Sequence, residues 1–203
     1  MINYISDKTR ILGEGAQKFR TIANQNLKGA VLICTHGAVT IAGKRTPHPH
    51  YTFPSTILIV LALEMFLKSL IIASKKISEL PKDCKHHNLR KLFDTLDDDL
   101  KLKIKHNPKI ETLVQKLKSE RINHMKNVYK SSQAEILSIE NASDYFDYLM
   151  DKFADLFIKI RYLEIENLYF SPVFLAELCD TVDVILRDDY KVQIKNLHPN
   201  GAF

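Results

Sequence analysis

The stretch TILIVLALEMFLKSLIIA, Thr56 to Ala73, is apolar on almost every side and carries two charges, Glu64 and Lys68, one helical turn apart at its middle. A run of this length can cross a bilayer as a helix. Two charges at the centre of a span cost several kcal/mol, however, and that favours a helix buried in protein. The run is therefore expected to be the central helix of a helical fold, with no membrane partner, and the question is what Glu64 and Lys68 face.

Around this run the composition is that of a globular chain. With 203 residues, 45% hydrophobic and 26% charged, there is material for one domain with a sizeable core. Six glycines and seven prolines leave few turn signals for many short strands, so an all-α fold is expected. The net charge of +5 comes from interspersed acids and bases. That balance fits RNA or DNA contact, but an ordinary solvated surface is its commoner meaning. Cys34, Cys84 and Cys179 are far apart and odd in number, which indicates neither a disulfide framework nor a zinc site. The N-terminus, MINYISDKTR, lacks the apolar stretch of a signal peptide, and a reducing, cytoplasmic setting is expected.

Working outward, residues Asp7 to Asn26 can form a first helix with Ile11, Leu12, Ala16, Phe19, Ile22 and Ala23 near one face, despite Gly13 and Gly15. GAVLICTHGAVTIA, Gly29 to Ala42, fits a buried helix or a short hairpin, and helix is preferred. The three prolines of Gly43 to Ser55 predict a loop, with Ser55 capping the central helix. Downstream, Asn88 to Leu96 presents Leu89, Leu92, Phe93 and Leu96 on one face. Asp97 to Asp99 suit the first turn of a short helix, where negative charge meets the positive dipole end. Pro108 can start a helix to about Lys130, with Ile110, Leu113, Val114, Leu117, Met125 and Val128 inward. Ser143 is expected to cap a helix whose apolar residues Tyr145, Leu149, Phe153, Leu156, Ile160 and Leu163 recur every three or four positions. Ser171 and Pro172 open a last helix to about Asn196.

Four polar side chains interrupt apolar patterns: Glu64 and Lys68 on the central helix, His87 at the entrance to the next, and Arg161 within FADLFIKIRYLEIE. Ionised groups near a core need partners, so Glu64 and Arg161 are natural candidates for pairing. The plainer reading is a structural ion pair that fixes helix register, with His87 supplying a helix cap or a satisfied core hydrogen bond. The functional reading makes the same residues the floor of a polar pocket.

The order of these motifs resembles the bacterial HEPN superfamily, in a branch carrying ELxLK, HxLxxL and RYxYE-like segments. The matching positions are Glu64, Leu67 and Lys68, then His87, Leu89 and Leu92, then Arg161 with Tyr162. Glu164 stands where that branch has an aromatic residue, and Ile165 where it has an acid. The resemblance covers Ser55 to Glu166. It implies an up-and-down HEPN-like bundle of four to five core helices at about 55–166, with residues 1–54 and a C-terminal helix at 171–196 packed on it as one domain. It further implies a homodimer, RNA or nucleotide as ligand, and a setting in phage defence or toxin–antitoxin pairs with a partner protein. Polar-centre residues under the resemblance are Glu64, Lys68, His87, Arg161 and Tyr162.

Nuclease members of that superfamily carry an Arg followed four to six residues later by a His, with His moving protons at the RNA 2′-OH and Arg stabilising charge on phosphorus. Here Arg45 and His50 have this spacing in a proline-broken segment, and Arg121 and His124 have a shorter one. With His87 these are the weak catalytic candidates for a metal-independent endoribonuclease, and chance accounts for such pairs in a His- and Arg-containing basic chain. No metal site is expected, because the His48/His50 and His86/His87 pairs lack zinc spacing. No cofactor is expected either: Walker A, GxGxxG and GxSxG patterns are all missing from the sequence. A nucleic-acid-associated or regulatory binding module is the leading expectation, beside the nuclease and a non-enzymatic dimeric scaffold.

Overall fold

Two long helices set the frame. The computed structural model describes residues 2–36, 38–41, 44–47, 49–127, 133–140, 144–156 and 171–193. Helix α1 runs Ile2–His36 and helix α2 runs Pro49–Lys75. The Ser69 hydroxyl donates to the Ala16 carbonyl at 2.7 Å, while Gly29 faces Leu58, so the two helices are antiparallel. Ala16, Ala23 and Ala30 recur every seven residues along this seam and are all buried. Small residues at that spacing let the two backbones approach. Gly15 takes this further: a Cβ there would lie 2.6 Å from the Ser78 carbonyl oxygen, in the chain that leaves α2. Gly15 is thus helical in spite of its propensity, because the close approach leaves no room for a side chain.

Both ends of this pair depart from the sequence reading. The first helix is not limited to Asp7–Asn26, and Gly29–Ala42 is not one helix. Instead α1 continues to His36, after which β1, Ala38–Ile41, pairs antiparallel with β2, Lys44–Pro47, from Ala38↔Pro47 to Ile41↔Lys44. The β-branched run Val39, Thr40, Ile41 suits a strand, and a window this short gives periodicity no power to separate the two. Nor is Gly43–Ser55 a loop. Pro47 closes β2, and Pro49 starts α2, where a missing N–H costs nothing. Pro54 is tolerated inside the helix, and Ser55 is a buried position within α2 rather than its cap.

The remaining helices complete a fold that, apart from the small hairpin, is all-α. Helix α2 ends on Lys76, at φ 52°, with the Ile77 N–H donating to the Ile72 carbonyl, a C-terminal motif that usually employs glycine. A 3₁₀ turn at Lys82–Cys84 leads to α3, Leu89–Asp94, capped by the Asn88 side chain accepting from the Lys91 N–H. Then follow α4, Asp98–Lys105, α5, Pro108–Asn127, and α6, Gln133–Glu140. Asp98 and Asp99 occupy the first turn of α4 as expected, and Pro108 starts α5.

Helix α7, Tyr145–Phe153, is capped by Asp144, whose carboxylate accepts from the Asp147 N–H; Ser143 lies outside the described residues. The expected helix to Leu163 is not continuous: α7 ends at Phe153, Leu156 is again helical, and Ile160 and Leu163 lie outside the described residues. At Ala154 the carbonyl is taken by the Leu89 N–H at 3.0 Å, so the first turn of α3 satisfies it from another element. Helix α8, Pro172–Asp188, begins as expected, with Ser171 accepting from the Phe174 N–H. It ends well short of Asn196: Lys191 turns at φ 54° and the Val192 N–H folds back onto the Leu186 carbonyl.

Helix α8 packs along α2 and meets α1 through the Asp183 cluster. The Cys179 thiol donates to the Ile59 carbonyl at 3.7 Å, and Asp183 meets Arg20 of α1. An aromatic chain joins the layers: Phe93 lies 5.4 Å from Phe146, and Phe174 lies 6.0 Å from both Phe146 and Phe153. Among the described residues one helix, Pro54–Lys75, is long and apolar enough to cross a membrane, and 72% of that window is buried inside the fold.

Candidate functional site

Glu64 has no exposed surface, because α2 is covered on all sides at its middle turns. Both oxygens of its carboxylate are nonetheless engaged. Lys68, one turn along the same helix and itself buried, donates from Nζ to Oε1 at 2.6 Å. His87 approaches from the connection between α2 and α3, its Nδ1 lying 3.1 Å from Oε1 and 2.9 Å from Oε2. An ionised carboxylate only accepts hydrogen bonds, so in this arrangement Nδ1 carries the hydrogen. The His87 side chain is 53% exposed. The imidazole therefore bridges a buried anion and the surface.

Neighbouring residues fix that bridge. The Asn88 N–H donates to His86 Nδ1 at 3.2 Å, and Asn88 Nδ2 donates to Asp155 at 2.8 Å. Cys84 is buried, and the Leu89 N–H holds the Ala154 carbonyl. The connection from Lys76 to Asn88 is thus tied down at Glu64 from one side and at the end of α7 from the other. It carries Lys76, Lys82 and Lys85 beside the acids Glu79 and Asp83, and Lys75 and Lys91 flank it in α2 and α3; all five lysines are exposed, and none makes an ion pair or side-chain hydrogen bond among the described residues. Elsewhere the exposed bases are more often matched, as in Lys103–Asp189, Lys109–Glu177 and Lys126–Glu140.

Three of the expected polar-centre residues, Glu64, Lys68 and His87, come together. Arg161 and Tyr162 lie outside the described residues, and with them the expected Glu64–Arg161 pairing. Of the catalytic candidates, Arg45 falls in β2 and His50 in the first turn of α2, so this pair straddles two elements. Arg121 and His124 both lie on α5, three residues apart. Among the described residues no group of three His, Cys, Asp or Glu side chains is placed to hold a metal ion.

Two polar clusters escaped the sequence reading. Arg20, 4% exposed, forks onto Asp183 with Nε–Oδ1 at 2.7 Å and Nη2–Oδ2 at 3.0 Å, and also donates to the Val192 carbonyl. Asn24 adds a bond to the same carboxylate at 3.1 Å. This cluster locks α1 to the end of α8. The signal was an arginine between Phe19 and Ile22 on an apolar face, the same interruption that picked out Arg161. The second cluster joins α3, α4 and α7. Arg90 reaches Asp94 and Asp147, while Lys105 reaches Asp144 at 2.9 Å and Asp147 at 2.7 Å. Burial pushes the Asp144 carboxyl up, but hydrogen bonds from Lys105 and from the Asp147 N–H outweigh it and hold Asp144 below the ordinary carboxylate value.

No family model, curated protein or solved structure matches this chain.

Chemically, Glu64 has no exposed surface, and both its oxygens accept from Lys68 or His87. What it can do is orient His87 and hold the lysine-rich connection in place. That is a positioning role, and the cap of α3 is the Asn88 side chain rather than His87, which bonds Glu64 instead.

Proposed function

We propose that the protein is a HEPN-like helical binding module whose lysine-rich α2–α3 connection contacts a polyanion, RNA or a nucleotide, without cleaving it. The observation that carries this is the His87–Glu64 bridge. It ties down a surface segment, residues 76–88, whose three lysines, with Lys75 and Lys91 in the flanking helices, are exposed and make no ion pair among the described residues, although the segment also carries the exposed acids Glu79 and Asp83. Unpaired lysines on a fixed backbone suit phosphate contact, because they release counterions when phosphates replace them and owe no partner inside the protein. The motif order through Glu64, Lys68, His87, Leu89 and Leu92 supports the HEPN-like relationship. A reducing cytoplasmic setting, a second copy of the chain, and a defence or toxin–antitoxin partner belong to the same proposal.

The test is fluorescence anisotropy of a labelled single-stranded RNA titrated with the full chain over a range of salt. Binding should weaken linearly in log–log form as salt rises, and Lys82→Ala with Lys85→Ala should flatten the slope by about 0.7 for each phosphate left without its lysine. Absence of binding at about 100 µM protein in low salt, or a slope unchanged by the substitutions, would overturn the proposal. RNA shortened on a gel in EDTA would overturn its non-catalytic part.

A further inference from the structure

A cleft of about 360 Å³ opens where the start of α5 meets the outer face of α8, on elements other than those carrying Glu64 and His87. Its size is at the small end of ligand pockets. Pro108 and Val184 supply apolar wall, and Lys109, Glu177, Asp180 and Thr181 supply the polar groups. Lys109 reaches across to Glu177 at 3.1 Å, but its side chain is 72% exposed, and an ion pair so exposed is easily exchanged. Asp180 makes neither a hydrogen bond nor an ion pair among the described residues. Its neighbours do not help it: burial, Glu177 and Asp183 all push its carboxyl up, with Lys109 opposing. Asp183 itself is committed to Arg20.

Thr181 adds a second, independent observation. It lines the cleft and is 5% exposed, yet its hydroxyl has no hydrogen-bond partner. A helical threonine commonly gives its hydroxyl to the carbonyl three or four residues back, and a buried hydroxyl left unpaired is costly. The hydroxyl of a side chain that lines the cleft is thus left with a hydrogen bond to offer.

We infer that this cleft is a binding site for a small amine with an apolar body. The ammonium group would sit on Asp180, in place of the counter-charge the carboxylate lacks, and be shared with Glu177 as Lys109 swings away. The Thr181 hydroxyl would take up a second hydrogen bond, and the carbon skeleton would lie between Pro108 and Val184. An apolar wall with two carboxylates one helical turn apart and a single displaceable cation favours an organic cation over a bare metal ion, which would prefer an all-oxygen shell.

The experiment is a titration of the full-length, ¹⁵N-labelled protein with phenethylamine, followed by amide shifts, with phenylethyl alcohol as the neutral analogue. Saturable shifts confined to 107–109 and 177–184 are expected, with the alcohol about tenfold weaker or more. Asp180→Asn should weaken the amine about tenfold at unchanged melting temperature, and Thr181→Val should weaken it by a smaller factor. Val184→Lys, at an exposed position, should block the site with its own ammonium and serves as the second variant if Asp180→Asn fails to fold. Binding that fails to saturate at millimolar amine, equal affinity for amine and alcohol, or indifference to both Asp180→Asn and Val184→Lys would overturn the inference.

Discussion

Replacing Glu64 by glutamine keeps the shape of the side chain and removes its charge. In the wild type the carboxylate has no exposed surface, and the Lys68 side chain beside it is 8% exposed. Glu64→Gln therefore leaves a buried ammonium facing an amide, and it gives His87 one acceptor oxygen instead of two. Removing one partner of a buried pair costs about 3–5 kcal/mol, and because the amide oxygen still accepts a bond the loss is expected near about 3 kcal/mol. For a chain of this size that lowers the melting temperature by about 6–12 °C. Urea unfolding followed by circular dichroism measures it, with the midpoint falling at constant m-value. A companion variant separates pairing from burial. Glu64→Leu with Lys68→Met fills the same volume with apolar groups and should fall within about 1 kcal/mol of wild type, since a buried ion pair is worth little against well-packed hydrophobic residues. His87 is half exposed, so water can replace the acceptor it loses. If Glu64→Gln stays within about 0.5 kcal/mol of wild type, or if the double variant is as unstable as the single, the reasoning about a buried, mutually dependent pair fails.

Other consequences follow from the same geometry. Gly15→Ala and Gly29→Ala should move stability in opposite directions in thermal melts. The first drives a Cβ to 2.6 Å from a backbone oxygen, which outweighs the helix propensity gained, whereas the second meets only the flexible Leu58 side chain at 3.2 Å and should gain about 0.5–1 kcal/mol. Arg20→Lys should cost about 3 kcal/mol or more in urea unfolding, because an ammonium cannot reproduce the fork onto Asp183 and the reach to Val192 together; full stability in this variant would show that charge alone suffices. Asp144 titrates below its ordinary value in the folded state, so it binds fewer protons folded than unfolded. Its stabilising contribution is present above the ordinary carboxylate pKa and is lost as the pH falls through the folded value. Lys105→Met should accordingly flatten the acid limb of stability against pH, and an acid limb as steep as wild type would contradict the assignment.

The parts of the fold that were legible in the sequence are those decided by periodic burial. Leu89, Leu92 and Phe93 in α3, Ile110, Val114 and Leu117 in α5, and Tyr145, Leu149 and Phe153 in α7 are buried as their spacing required. The boundaries that failed were set by contacts from elsewhere in the chain. Nothing local to Ala154 announces that its carbonyl will serve Leu89, and nothing local to Gly15 announces that Ser78 will press against it. The prolines misled for a related reason. Pro49 and Pro54 were read as breaking one segment, when the first initiates α2 and the second is carried within it. At the candidate site, two charges in an apolar run were a strong signal for Glu64 and Lys68, whereas the meeting of Glu64 with His87 was not legible, because it depends on how the α2–α3 connection folds back. Arg20 and Asp183 were missed although they break apolar patterns in the same way, because their pairing joins positions 163 residues apart. The lysines of the α2–α3 connection could be counted from the sequence, but that they stand unpaired is a fact of the packing.

The central claim is that buried Glu64 anchors the lysine-rich connection through His87. Amide hydrogen exchange across Cys84–Leu92, compared between wild type and Glu64→Leu/Lys68→Met, tests it most directly. The account predicts global stability close to wild type but local protection in this segment reduced about tenfold or more, with RNA affinity falling alongside. Protection unchanged in a variant that has lost the carboxylate would show that the connection is held by other contacts, and would contradict the claim.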